Sequence, residues 1–435
     1  MSGGESFNMA EEFADVDFNG ARLEKRLVRT METLSKQPGN SIWASSENRA
    51  EAKAVYHMLG NEKFDRDEIL KAHREGTVKR MAGGPVILAA RDTTGVNYDG
   101  QRKSEGNGYI SDKTMGVNIQ ACLAVTPDGL VLGALDQRGY NRPEPREETL
   151  TKEQQKNRPI EEKESSRWLE AMETVSGSIG AGTKVIQVCG REGDMYELFC
   201  KAIMNGWLFP IRAIQNRLAA GNGKILDTIR KKAVQGRVTA RIPRDSRRNI
   251  KARDAVLMVR FAQFEIKKPQ ILNRNKELPQ SIQANVIYVK EEKPPKGLEP
   301  TEWFLMTNEE VNSCEQAFEK VRYYVQRWKI ERFHYVLKSG CAIEKLQERD
   351  MEKTKTLIVM YSVIAVFILN LTYIARVNPE LPCGILFDED EWKVLYCAAN
   401  RRKEAPGKPY TTGEAVEYTG NPGGPRRAPV TVRPE

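Results

Sequence analysis

The chain has 435 residues, with 68 Lys+Arg against 59 Asp+Glu, a formal net charge of +9. At about 150 residues per domain this length suggests roughly three domains. A hydrophobic fraction of 40% and a charged fraction of 29% exclude a mainly disordered chain, a collagen-like repeat and a polytopic membrane protein.

Residues 1–70 read as a small helical unit. Leu23, Leu27, Met31 and Leu34 form a helical apolar stripe with Arg and Lys on the other faces. Pro38-Gly39-Asn40 ends that helix, and Ser45-Ser46-Glu47-Asn48 caps a second one running through Leu59. Short helices with a basic face suit a helix-turn-helix-like DNA module, and equally suit plain helical packing. The polar, acidic N-terminus lacks the apolar run of a signal peptide.

From Pro85 the pattern changes. Val86–Ala90 reads as a strand leading into a loop at Asp92. Val117–Val125 and Leu130–Leu135 form a hairpin around Asp128-Gly129. A charged loop fills 143–167, followed by a helix from Trp168 to Ser176, a strand from Lys184 to Cys189, a helix over 194–205 and a strand over 207–213. The expectation is a mixed α/β core interrupted by a basic β-rich segment at about 217–300. Arg230 to Lys276 holds 15 Lys+Arg against 3 Asp+Glu, a local +12 that leaves the rest of the chain at −3. Such an excess favours a polyanion, nucleic acid being the commonest in a cytosol.

A long helix is expected over 321–345. On an ideal helix Tyr324, Arg327, Glu331 and Lys338 share one arc of roughly 60°. That face offers a carboxylate for a metal, cations for phosphates and a phenol, or it is a salt-bridged surface. Leu357–Ala375 is apolar enough to span a bilayer, and the expectation is a buried core helix, with no membrane partner. Seven scattered Cys argue for reduced thiols and a cytoplasmic, nucleoid-associated protein; three His cannot build a Cys/His metal cluster. A bound metal would therefore be a hard cation on carboxylates.

The spacing Tyr324, Arg327, Glu331, Lys338 resembles the signature of the cut-and-paste bacterial DDE transposases of the insertion-sequence-four group. Asp92-Thr93-Thr94, Arg191-Glu192-Gly193-Asp194 and Trp303 also fall in that family's order, so the resemblance runs from about residue 8 to 400. It implies an α/β fold: an RNase-H-like (retroviral-integrase-like) catalytic core over 71–385 with the β-rich insertion, an N-terminal helical DNA-binding domain over 1–70, and a C-terminal segment over 386–435. It implies cleavage, hairpin formation and strand transfer on transposon-end and target DNA. In the family two Asp and one Glu hold two Mg²⁺ or Mn²⁺ ions. Asp92 and Glu331 match the first and third carboxylates, and the position of the second holds Gly190, with Asp194 four residues on. Tyr324, Arg327 and Lys338 match phosphate-contacting positions, Arg212 matches another DNA-contacting position, and Trp303 matches an aromatic that stacks on a flipped base.

Three departures qualify the resemblance. Gly190 cannot ligate a metal, so the expectation is little or no cleavage, with a DNA-binding repressor of transposition as the alternative function. The tail from Asn421 to Arg427 has no helical period, where the family continues with helices that pair two subunits on DNA; a shortened C-terminal segment and impaired dimerisation are expected. Ile214 and Tyr335 stand where the family's best-known member has Lys.

Overall fold

The computed structural model describes residues 9–420, apart from 102, 143–150, 152–157, 181, 222, 243–249, 273–274, 386 and 388. Most of the charged loop expected at 143–167 and the whole tail after 420 therefore lie outside the described residues. The chain divides into two compact units, one of residues 12–366 and one of residues 1–11 with 367–435.

After α1 (Met9–Glu12), which lies at the boundary between the units in sequence, helices open the larger unit: α2 (Ala21–Lys36), α3 (Ile42–Ser45), α4 (Arg49–Leu59) and α5 (Arg66–Met81). The apolar stripe of α2 is turned inward at Leu27, Met31 and Leu34. Asn48 is the α4 cap, its Oδ1 accepting the Glu51 amide at 3.0 Å, and Ser41 caps α3 in the same way. The domain boundary expected at residue 70 falls inside α5, because α5 packs on the sheet. Gly133 makes that approach possible: a Cβ there would lie 1.9 Å from Thr77 Oγ1.

The strands are β1 (Val86–Asn97), β2 (Gly108–Tyr109), β3 (Met115–Val125), β4 (Val131–Tyr140), β5 (Lys184–Cys189), β6 (Pro210–Arg212), β7 (Gly236–Ile242), β8 (Arg253–Lys267), β9 (Ser281–Glu291) and β10 (Glu302–Thr307). They form one sheet in the order β2-β3-β1-β5-β6-β10-β9-β8-β7, with β4 added on β3. β1 is antiparallel to β3 and parallel to β5, and β5 is parallel to β6. Two helices, α6 (Ser166–Gly177) and α7 (Tyr196–Met204), flank β5 in the chain, and α8 (Ile225–Lys231) leads into the basic strands. β1 is longer than its apolar run suggests. Pairing with β5 stops at Arg91↔Cys189, but pairing with β3 continues to Asn97↔Gly116. Asp92 is therefore mid-strand, at the first position beyond the end of β5.

The basic β-rich segment appears as β7, β8 and β9, joined to the core through β10 on β6. Its charge is partly answered from neighbouring strands. Arg230 pairs with Glu302, Arg237 with Glu292, Arg253 with Glu291 and Arg241 with Asp254. Arg244, Arg247, Arg248 and Arg274 lie outside the described residues.

The expected helix over 321–345 is broken. α9 (Cys314–Gln326) ends at Arg327, α10 (Trp328–Tyr335) follows, and Val336–Gly340 widens into a π turn. The break has a local cause, since the Arg327 amide bonds the Tyr324 carbonyl at 3.1 Å and Ile330 bonds back to Arg327 at 3.0 Å. Ala342, at φ 50°, turns the chain before 345.

α11 (Met351–Val377) is the one helix among the described residues long and apolar enough to cross a membrane. Its stretch Leu357–Val366 is buried in the larger unit, as expected of a core helix. The smaller unit contains α12 (Glu389–Asn400) and α13 (Thr412–Gly420) around Cys383, Trp392, Tyr410 and Ala415. The Tyr410 ring lies edge-on to Trp392 and Tyr418, and its hydroxyl donates to the Trp392 carbonyl.

Candidate active site and nucleic-acid interface

β1, the end of β5 and the α9–α10 junction bring Asp92, Gly190, Arg327 and Glu331 together. Arg327 Nη1 donates to Asp92 Oδ2 at 2.9 Å and Nη2 to Glu331 Oε1 at 2.8 Å. The carboxylates are partly open, with 24% and 37% of their side chains exposed, while the guanidinium is buried. A Cβ built on Gly190 would stand 3.8 Å from Arg327 Nη1 and 3.9 Å from its Nε, and that Nε has no hydrogen-bond partner. Burial alone would push the guanidinium down, but Asp92, Tyr324 and Glu331 hold it above its ordinary value.

The other predicted residues are placed differently. Lys338 Nζ donates to the Gly95 carbonyl, so it lies against β1 three residues beyond Asp92, through the π turn rather than an ideal helix. Tyr324 is buried under Trp303, their rings 5.4 Å apart and edge-on. Trp303 itself is only 5% exposed, a core position on β10. Arg212 is half-buried; burial lowers its pKa, and the neighbouring Arg191 and Arg327 charges lower it further. Ile214 and Tyr335 are both exposed.

Asp194 is committed elsewhere. Its Oδ2 accepts the Ile214 and Gln215 amides at 2.6 and 2.7 Å, and its Oδ1 is bonded by buried Arg217. It fixes the turn after β5 and cannot stand in for a carboxylate at 190. Glu192 is the residue that motif reading missed. Burial, and next the Asp92 charge, push its carboxyl above the ordinary range. Its place in Arg191-Glu192, directly after Gly190, was the available signal.

Two divalent ions require converging carboxylates. Here Asp92 and Glu331 share one guanidinium, Gly190 supplies no donor, and Asp194 is engaged. Among the described residues no three His, Cys, Asp or Glu side chains converge as a metal site. The donor set does not fit a pair of Mg²⁺ or Mn²⁺ ions.

Beside the site, His334 is buried with an unpartnered Nε2. Burial, then Lys338 and Arg327, lower its pKa to about 3, so it is neutral here. Beneath the site Arg91 is fully buried, donating to the Trp168 and Ala171 carbonyls of α6, with Cys122 and Cys189 opposite it on β3 and β5.

In the N-terminal helices, α2–α4 present Arg22, Lys25, Arg29, Arg49 and Lys53 to solvent. Trp43 is 49% exposed and packs 6.2 Å from Tyr56. Exposed cations around an exposed aromatic are the composition of a nucleic-acid surface.

Comparison with known proteins bears on these helices first. Residues 8–64 match the sequence model of the Transposase DNA-binding family. Among solved structures, the chain is similar to a piggyBac transposase in a synaptic complex with hairpin DNA, at 10% identity and a TM-score of 0.40. That similarity covers 82% of this chain and 66% of the other, just under two thirds of its length.

Proposed function

We propose that this protein is a transposase-derived chain that binds transposon-end DNA and, with Gly190 at its centre, does not cleave it. The strand order β4-β3-β1-β5-β6, three antiparallel strands followed by two parallel to β1, supports an RNase-H-like core. The transposase DNA-binding match over 8–64 supports the DNA partner. One observation carries the loss of cleavage: Arg327 bridges Asp92 and Glu331 where metal ions would have to sit, and the third position is a glycine. In this reading α2–α4 grip the duplex and the exposed Arg237 and Arg241 of β7 follow its backbone, an interaction that weakens steeply with salt.

A second reading, an active DDE nuclease and strand transferase, draws its support from Glu192, a carboxylate beside Asp92. A single experiment separates the two: end-duplex binding and nicking with Mg²⁺ or Mn²⁺, for the wild type and Gly190→Asp. The expected result is binding by both proteins and nicking, if any, by the variant alone. Robust nicking by the wild type would overturn the proposal.

A further inference from the structure

We infer that Arg327 is the resident cation of this site: its guanidinium neutralises Asp92 and Glu331 from within the chain and thereby excludes a divalent ion. The inference rests on the reading that Gly190 ended cleavage, and extends it from a missing ligand to a changed counter-ion.

Three observations converge. The guanidinium uses two of its N–H edges on the two carboxylates, at 2.9 and 2.8 Å, in the planar fork that suits this residue and no point charge. Its stem is pinned. Arg327 sits at the α9–α10 break, and the rings of Tyr324 and Trp328 lie 5.9 and 5.6 Å from its carbon centre. The remaining edge, Nε, is buried without a partner and faces Gly190. A carboxylate at 190 would reach that edge. Asp92 and Glu331 thus share one guanidinium held in a fixed position.

A metal ion would have to displace this tethered cation. A tethered group competes at a high effective concentration, and the displaced arginine would be left buried near the Arg212 charge. The aqueous ion therefore loses, and the site's charge balance is independent of free Mg²⁺ or Mn²⁺.

The test is titration with MnCl₂, read by calorimetry and by thermal unfolding of the full chain. The wild type is expected to give no stoichiometric heat and an unfolding midpoint insensitive to Mn²⁺. Arg327→Gln should unfold at lower temperature and recover by about 5 °C at saturating MnCl₂. Arg327→Lys replaces the fork by a point charge and should show an intermediate Mn²⁺ response, smaller than that of Arg327→Gln. Stoichiometric Mn²⁺ binding by the wild type would overturn the inference, and loss of that binding in Glu192→Gln would give the third ligand to Glu192. A folded Arg327→Gln without Mn²⁺ dependence would also overturn it.

If Arg327→Gln does not fold, the double variant Asp92→Asn with Glu331→Gln reads the same balance from the other side. It leaves the buried guanidinium unneutralised, so inorganic phosphate, and not Mn²⁺, should raise its midpoint; no response to phosphate counts against the inference. Wild-type cleavage sinks the functional proposal, whereas Mn²⁺ binding without cleavage sinks only this one.

Discussion

Two buried arginine–carboxylate sites in the larger unit are built from the same parts and finished differently. At the first, Arg80 holds Glu12 through Nη1 at 2.6 Å and Nη2 at 3.0 Å, while its Nε donates to the Leu132 carbonyl at 2.7 Å. His73 completes it. Its Nε2 accepts the Ala134 amide at 2.9 Å, which leaves the proton on Nδ1 for Glu12. At the second, Arg327 holds two carboxylates and leaves Nε unanswered. Each site also has a glycine. Gly133 has no room for a Cβ, because Thr77 lies against it; Gly190 has ordinary room and a φ of −77°, open to any residue. The first glycine is a packing requirement. The second is a position where a side chain would fit and would find a partner.

Breaking the complete site should have the largest effect. Glu12→Ala leaves Arg80 and the fully buried His73 without their anion and should cost about 3–5 kcal/mol, read as a fall in the unfolding midpoint. Its pH signature has a definite sign. Burial raises the Glu12 carboxyl, but His73 and Arg80 outweigh that and hold it at about 2, below the ordinary 4.5. Its contribution is therefore present above pH 4.5 and lost as the pH falls toward 2, so the variant should show a flatter acid limb there.

The incomplete site has its own acid signature. His334 is held at about 3, below the ordinary 6.5, so its contribution is present above 6.5 and lost as the pH falls through that interval. His334→Phe should flatten stability between pH 6.5 and 3 and leave the region below it unchanged. An unaltered profile would mean that the ring titrates normally.

The smallest effects come from the paired glycines and have opposite signs. Gly133→Ala must displace Thr77 and should cost about 1–3 kcal/mol by chemical denaturation. Gly190→Ala should be neutral or stabilising by about 0.4–1 kcal/mol, through the unfolded chain alone. Equal effects at the two positions would erase the contrast drawn here.

Much of this organisation was legible in the sequence. The α2 stripe, the Asn48 cap, the hairpin and the order of strands all follow from short-range periodicity, which reports local burial well. The Asp92–Gly190–Glu331 grouping came from motif resemblance; in space Asp92 and Glu331 are joined through Arg327, whose guanidinium lies opposite Gly190. What the sequence could not express is pairing at a distance. Asp92 lies mid-strand because β3 extends past β5, and Trp303 and Tyr324 are buried because their rings pack on each other across a sequence gap. Likewise the +12 of the basic segment is diluted by Glu291, Glu292 and Glu302, which lie beyond it in sequence and beside it in space. Asp194 stands four residues beyond Gly190 in sequence, but its bonds to Arg217 and two amides are again long-range.

One seam in the sheet carries a mechanical consequence. β1 and β3 share ten successive residue pairs, but β5 and β6 meet in the pair Cys189↔Ile211 and the bridge Ile186↔Leu208. The centre of the sheet is thus stitched thinly at the residue beside Gly190. The carboxylates lie on one side of that stitch, and Arg212 with the basic strands on the other. Load applied to the basic strands concentrates at this line, so its amides should exchange with solvent well before those of β1 and β3, opening the sheet like a page at its fold.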